Sequence, residues 1–212
     1  MSYKFRDHIK NNRFVTTHVF TEDKFIYMRP GRSASTTIMR TIGGRNEEVS
    51  RPYYRKSGWS LWLENTTDEE ILNDYFIFTF VRNPYTRLVS AWKALSRKGS
   101  GYADPNFKRF VMGEGDRCLI NSDGEFGNDH YYPFCNYIEF SSGEPFVHFI
   151  GKVENIEEDW NKVKGDLKRN NTTINFAKTE TNNDYKNYYD NEIIDRFNKL
   201  YKRDLELLDY EF

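Results

Sequence analysis

The stretch Phe76-Ile-Phe-Thr-Phe-Val-Arg82-Asn-Pro-Tyr-Thr-Arg-Leu-Val-Ser90-Ala-Trp92 decides the fold. Phe76, Ile77, Phe78, Phe80 and Val81 are bulky, aromatic or β-branched, and a short run of this kind closed by a turn signal suits a strand buried on both faces. Arg82 ends the run. Asn83 is a favourable N-cap and Pro84 a favourable first helical residue, because proline presets φ and lacks an N–H that the first turn leaves unsatisfied anyway. A helix therefore starts here. Leu88, Ala91 and Leu95 recur at helical spacing and are expected to face the sheet, while Arg87 and Ser90 fall on a different side. Arg82 at the carboxyl end of the strand and Ser90 early in the helix are then able to converge on one anion, at the edge where open α/β sheets bind ligands. A structural ion pair is the alternative use of such an arginine, and the stretch by itself does not choose.

A second unit of the same kind lies upstream. Lys24 to Met28 reads as a short apolar strand, followed by Arg29-Pro-Gly-Arg-Ser-Ala-Ser-Thr-Thr37 and then by Ile38, Met39 and Ile42 at helical spacing. This is strand, phosphate loop and helix. Small residues let the backbone approach a ligand, the N–H groups of the helix start point at it, and Ser33, Ser35, Thr36 and Thr37 add hydroxyl donors. Arg32 adds fixed charge. A Ser/Thr-capped helix after a Pro-Gly turn is the other reading of the loop taken alone. A second anion site downstream favours the ligand reading, since a molecule with phosphates at both ends requires two.

As a whole string, Arg82 to Trp92 closely resembles the 3′-phosphate motif of sulfotransferases that use 3′-phosphoadenosine 5′-phosphosulfate (PAPS). Arg32-Ser-Ala-Ser-Thr-Thr37 is similar to the 5′-phosphosulfate loop of carbohydrate sulfotransferases, with Arg32 where that family has lysine and Pro30 one residue further upstream than its Pro-Lys pair. Arginine keeps the charge but is a rigid fork and a poor proton donor. His130-Tyr-Tyr-Pro-Phe-Cys135 is similar to a His-aromatic-x-Pro segment of the Golgi carbohydrate sulfotransferases. The run Phe149-Ile-Gly-Lys-Val-Glu154 resembles their Gly-basic-x-Glu segment, and the C-terminal helix their Tyr-x-x-Asp ending. The resemblance runs from about Phe25 to the end of the chain.

What it implies is an α/β, P-loop-like domain with a central parallel sheet flanked by helices, single over residues 1–212, with 1–23 as an N-terminal arm. The implied reaction moves a sulfuryl group from PAPS to an acceptor hydroxyl, on a carbohydrate or another hydroxyl-bearing molecule, and releases adenosine 3′,5′-bisphosphate. Arg32, Ser33, Ala34, Ser35, Thr36 and Thr37 would hold the 5′ end, Arg82 and Ser90 the 3′-phosphate, and Arg32 would also meet the charge that grows on the leaving oxygen. Two rivals stand beside this: a P-loop nucleotide kinase, and a non-catalytic module that binds the nucleotide or a sulfated glycan. The kinase reading fails at the loop, which lacks the second glycine and the Lys-Ser/Thr ending that hold nucleotide and Mg²⁺. No metal is expected.

An acceptor hydroxyl needs a base, and histidine titrates closest to neutral pH. Of the four histidines, His8 lies in the N-terminal arm, His148 reads as a satisfied core residue inside a strand from Phe146 to Lys152, and His18 precedes the first clear strand. His130 ends a Gly/Asp/Asn-rich segment from Gly113 to Asn128, a mobile loop or a surface excursion, and is the expected base. The alternative is a structural bond that holds the Tyr131-Tyr-Pro133 turn. Glu154 and the carboxylates of Glu64–Glu70 stand in reserve.

Composition bounds the rest. With 31 basic and 32 acidic residues in 212, no global field argues for nucleic acid or a membrane surface. With 15 Tyr and 17 Phe, the core is expected to be rich in aromatic rings. Cys118 and Cys135 read as two free thiols, with one disulfide between them as the alternative. The charged N-terminus has no apolar core of signal-peptide length and no stretch is long enough to span a bilayer, so the expectation is a cytoplasmic protein. The basic residues Arg45, Arg51, Arg55 and Lys56 among Tyr53, Tyr54, Trp59 and Trp62 suit either a sugar acceptor or the pinning of a long loop.

Overall fold

A computed structural model describes residues 4–12, 14–43, 47–50 (as backbone), 65–97, 101–174 and 184–212. Arg45, Arg51, Tyr53, Tyr54, Arg55, Lys56, Trp59, Trp62 and Glu64 lie outside them. Backbone contacts divide the chain, expected as one domain over 1–212, into two compact units: Met1–Val81 with Asn136–Phe176, and Arg82–Cys135 with Ala177–Phe212.

The first unit is built on a five-stranded sheet of β1 (Thr17–Phe20), β2 (Phe25–Met28), β3 (Glu47–Ser50), β4 (Phe76–Val81) and β5 (Phe149–Lys152), in the order β3-β1-β2-β4-β5. β2 runs parallel to β4, and β4 to β5. The parallel core is as the sequence implies. β1 is the addition: it pairs antiparallel to both β2 and β3. Residues 21–24 join β1 to β2, and a connection so short permits only an antiparallel return. Lys24 closes it at φ 60°.

Side chains alternate across the sheet as strand geometry requires. Phe25, Tyr27, Phe78 and Phe80 cluster with Ile38 and Ile42 of helix α1 (Ser35–Ile42), and with Ile156, Trp160 and Val163 of helix α2 (Ile156–Val163). Leu167, beyond the end of α2, joins the same cluster. Gly151, opposite Phe80 in the register, is required there: a Cβ would overlap the Phe80 ring. Strand β5 starts at Phe149, and His148 lies outside it and is exposed, not in the core. Its ring Nδ1 accepts the Ile77 N–H at 2.9 Å, extending the ladder by one side-chain bond.

The described residues of the N-terminal stretch bury Phe5, Ile9, Phe14 and Val15. A helix at Phe5–Asn11 buries Phe5 and Ile9, and Phe5 meets Phe146 edge-on at 5.5 Å. His8 is half-buried, bonded through Nε2 to the Asn136 carbonyl at 2.9 Å. His18 lies within β1, not before the first strand.

The second unit holds helices α3 (Pro84–Leu95), α4 (Phe107–Met112), α5 (Asn191–Leu200) and α6 (Lys202–Leu208). Leu88, Ala91 and Leu95, expected against the sheet, belong to a separate cluster with Phe107, Phe110, Tyr131, Ile193, Phe197 and Tyr201. Its aromatic richness shows in the Tyr85, Phe197 and Tyr201 stack, with ring centroids 4.3 and 4.5 Å apart. Helix α4 starts at Phe107. Asn106 is its cap, accepting the Arg109 N–H at 3.0 Å, while Asp104 holds the Asn106 N–H from outside at 2.8 Å. The 113–128 segment is a surface excursion closed on itself by an Ile120–Phe126 bridge, with Leu119 fully buried beneath it.

Candidate functional site

Because β2 and β4 are neighbours and parallel, the chain leaves the sheet at the same edge after Met28 and after Val81. After Met28 comes the Arg29–Ala34 loop. Arg32 (φ 64°) and Ala34 (φ 56°) both adopt the left-handed conformation, which costs a non-glycine residue about 1–2 kcal/mol. Alternation of left- and right-handed residues turns successive N–H groups into a concavity that suits an anion. Ala34 is the N-cap of α1, no side chain caps the helix, and its first turn carries no acidic residue. The hydroxyls are less available than the sequence suggests. Ser33 is fully buried and donates to the Pro30 carbonyl at 2.8 Å, so its backbone N–H is what it has to offer a ligand. Ser35 and Thr37 are partly exposed and Thr36 is exposed.

After Val81 the corner is built differently. The Asn83 side chain accepts the N–H groups of Tyr85 and Thr86 at 3.0 and 3.2 Å, and Pro84 occupies the first helical position as expected. Arg82 and Ser90 are each 5 % exposed. Ser90 lies seven residues beyond Asn83, which brings it round to the same side of the helix about 10 Å further along. Arg87 is not part of that face. It is buried, lies over the Phe134 ring at 4.0 Å and donates to the Tyr132 carbonyl at 2.7 Å and, at 3.5 Å, to that of Asp129.

His130 sits in a single 3₁₀ turn, Asp129–Tyr131, capped by Asn128. Its Nδ1 lies 2.9 Å from Asn128 Oδ1 and 2.7 Å from Asp129 Oδ1, and its side chain is 37 % exposed. Burial pushes the Asp129 carboxyl up, but its bond to His130, the His130 charge and nearby Arg87 together hold it below the usual carboxylate range. The following backbone is clamped. Tyr201 donates to the Tyr131 carbonyl at 2.6 Å, and the fully buried Asp204 accepts the N–H groups of Phe134 and Cys135 at 2.7 and 2.8 Å. Burial raises the Asp204 carboxyl, only partly offset by those two bonds and by Arg87. Sequence reasoning missed Asn128, Asp129, Arg87, Tyr201 and Asp204 as a set. Tyr201 and Asp204 are the Tyr-x-x-Asp ending that the family resemblance picks out in the C-terminal helix.

The reserve bases are less suited. His18 is buried and its Nε2 faces Arg29 Nη1 at 3.2 Å, so that guanidinium already occupies the nitrogen's lone pair. Glu70 is tied into the Thr67 capping box, and Glu154 is exposed in the turn after β5. Cys118 and Cys135 are free thiols. Among the described residues no group of three or more His, Cys, Asp or Glu side chains is placed to hold a metal ion, and no helix is long and apolar enough to cross a membrane.

The profile of the sulfotransferase family matches residues 15–211. The chain belongs to the sulfotransferase family. Carbohydrate sulfotransferase 14 of Mus musculus is 25% identical over 184 residues, covering 73% of this chain and 48% of that protein. The Homo sapiens protein of the same name is 25% identical over 183 residues with the same coverage. The Danio rerio one is 30% identical over 126 residues, 47% of this chain and 32% of that protein. This sulfotransferase-family chain thus spans about half the length of the first two curated relatives. No solved structure matches it significantly. The family match covers both compact units, and with them both corners and the His130 turn.

Proposed function

We propose that the protein transfers a sulfuryl group from PAPS to an acceptor hydroxyl, on a carbohydrate, and releases adenosine 3′,5′-bisphosphate. The observation that carries this is the pair of parallel neighbouring strands in a chain of the sulfotransferase family. One leads into an uncapped helix start behind a left-handed loop with Arg32, the other into Arg82 and a self-capped helix with Ser90. The helix-start amides and Arg32 take the 5′-phosphosulfate; Arg82 and Ser90 take the 3′-phosphate. The acceptor oxygen attacks sulfur, the bond from sulfur to the 5′-phosphate oxygen breaks, that oxygen keeps the electron pair against Arg32, and His130 receives the acceptor proton. The carbohydrate acceptor is inferred from the names of the relatives.

The test is incubation with [³⁵S]PAPS and a panel of glycans and small alcohols. Labelled product on a glycan is expected. With an active acceptor in hand, His130→Ala lowers turnover about a hundredfold or more, the usual scale for a lost general base, with adenosine 3′,5′-bisphosphate binding intact. Tight bisphosphate binding with no transfer to any acceptor would instead favour a non-catalytic nucleotide-binding module.

A further inference from the structure

The His130 ring has two oxygens on one of its nitrogens, and both are fixed as acceptors. An ionised carboxylate such as Asp129 accepts only. The Asn128 amide is ambiguous by itself, since its oxygen and nitrogen are exchangeable in shape. Here the ambiguity is removed by the backbone: the same Asn128 atom lies 3.0 Å from the His130 N–H, an obligate donor, so it is the oxygen. Nδ1, at 2.9 and 2.7 Å from these two oxygens, must therefore carry a hydrogen. In the neutral ring that leaves the lone pair on Nε2.

We propose that Asn128 and Asp129 are positioning residues that hold neutral His130 as its Nδ1–H tautomer, so that Nε2 is the atom that receives the acceptor proton. This is the tautomer a free histidine side chain disfavours in water, so the protein has to impose it. The frame for doing so is the clamp on the next residues. Arg87 holds the Tyr132 carbonyl, Tyr201 the Tyr131 carbonyl and Asp204 the Phe134 and Cys135 amides, which fixes the backbone from which His130 projects. Against the upward push of burial, the bond to His130 and the His130 charge, with a smaller contribution from Arg87, hold the Asp129 carboxyl below its usual range. The inference rests on the reading of His130 as the base, but the tautomer can be measured without any turnover.

The experiment is ¹⁵N NMR of the imidazole nitrogens in the full chain, above the titration of the ring, with His130 assigned by its loss in His130→Gln. A protonated Nδ1 and an unprotonated Nε2 are expected. In Asn128→Ala/Asp129→Ala the ring should revert mainly to the Nε2–H form. With the acceptor found above, kcat should fall at least tenfold while the Kd for adenosine 3′,5′-bisphosphate stays within twofold. Asp129→Asn, which keeps an oxygen acceptor, should retain much of the Nδ1–H form and lie between the two in kcat. It also serves if the double variant does not fold. An Nε2–H ring in the wild type overturns the assignment outright, as does an unchanged kcat in a double variant whose tautomer has reverted. Full turnover in His130→Gln with an Nδ1–H ring in the wild type overturns the base reading itself, a failure distinct from that of the tautomer.

Discussion

The chain passes from strand to helix twice at one edge of the sheet, and the two corners treat the orphan amides of the first helical turn in opposite ways. After β4, Asn83 accepts two of them and Pro84 has none to offer, so the helix start is satisfied by its own sequence. After β2, the capping position is Ala34, which has no side-chain oxygen, and the loop holds two non-glycine residues in the left-handed region. Strain at such a place is tolerated where the conformation has a use. The difference assigns the two corners different kinds of recognition. A helix start without a side-chain cap offers backbone donors to an anion; a self-capped one must recognise an anion through side chains, here Arg82 and Ser90.

The largest effects test the two arginines. Charge on the leaving oxygen grows as the sulfur–oxygen bond breaks, so Arg32→Ala is expected to lower kcat by about a hundredfold, the scale of losing one preorganised donor at such an oxygen. Binding of adenosine 3′,5′-bisphosphate should weaken less, and Arg32→Lys should retain activity. A wild-type rate in Arg32→Ala would show that the loop does not face the leaving group. At the other corner, wild-type protein should bind adenosine 3′,5′-bisphosphate more tightly than 5′-AMP, and Arg82→Ala should erase most of the gap. A lost charged hydrogen bond costs roughly 1.5–3 kcal/mol, or about ten- to a hundredfold in affinity. Calorimetric titration of the two nucleotides decides it, and equal affinities in the wild type would remove the side-chain half of the comparison.

Both corners were legible in the sequence because their signals are local: an apolar run, a break, and apolar residues at helical spacing. β1 was not. Its turn, Thr21-Glu-Asp-Lys24, contains none of the glycine or asparagine that marks a hairpin, and it closes by forcing Lys24 into the left-handed region. His18 was misplaced with it. The turn around His130 was legible only as a histidine near aromatic rings. What orients the ring is adjacent in sequence, Asn128 and Asp129, whereas what holds the backbone comes from Arg87, Tyr201 and Asp204, dozens of residues away. No periodicity reports such pairs. Ser33 shows the reverse error: its hydroxyl looked like a ligand donor in the sequence, and the fold gives it to Pro30.

A smaller effect sharpens the contrast at the capped corner. Replacing Asn83 by Ala removes a side chain that satisfies two amides, and loss of such a cap costs about 1 kcal/mol. For a chain of this length that is a fall of about 2–4 °C in Tm. The freed amides at this helix start should not rescue or improve nucleotide binding, because recognition here belongs to Arg82 and Ser90. A marked gain in bisphosphate affinity on Asn83→Ala would mean that this corner, too, was a backbone site held shut by its own asparagine.

The smallest expected change in stability is the most discriminating, because it pushes stability and binding in opposite directions. Ala34→Asp places a carboxylate at the uncapped start of α1, where no acidic side chain now stands. Aspartate is among the few residues that enter the left-handed region readily, so the φ of 56° is not an obstacle. A negative charge at a helix N-terminus contributes about 0.3–1 kcal/mol, which predicts a Tm raised by about 1–4 °C. The same charge occupies the place proposed for the 5′-phosphosulfate, so affinity for adenosine 3′,5′-bisphosphate should fall about tenfold, the equivalent of 1.4 kcal/mol. Ala34→Gly is the control. It brings no charge and relieves a left-handed strain of about 1–2 kcal/mol, which outweighs the roughly 0.4–1 kcal/mol of freedom it adds to the unfolded chain. It should raise Tm and leave the affinity for adenosine 3′,5′-bisphosphate nearly unchanged. If Ala34→Asp raises Tm and binding does not move, the uncapped helix start is a quirk of the free protein, and the two corners do not divide the ligand between backbone and side chains.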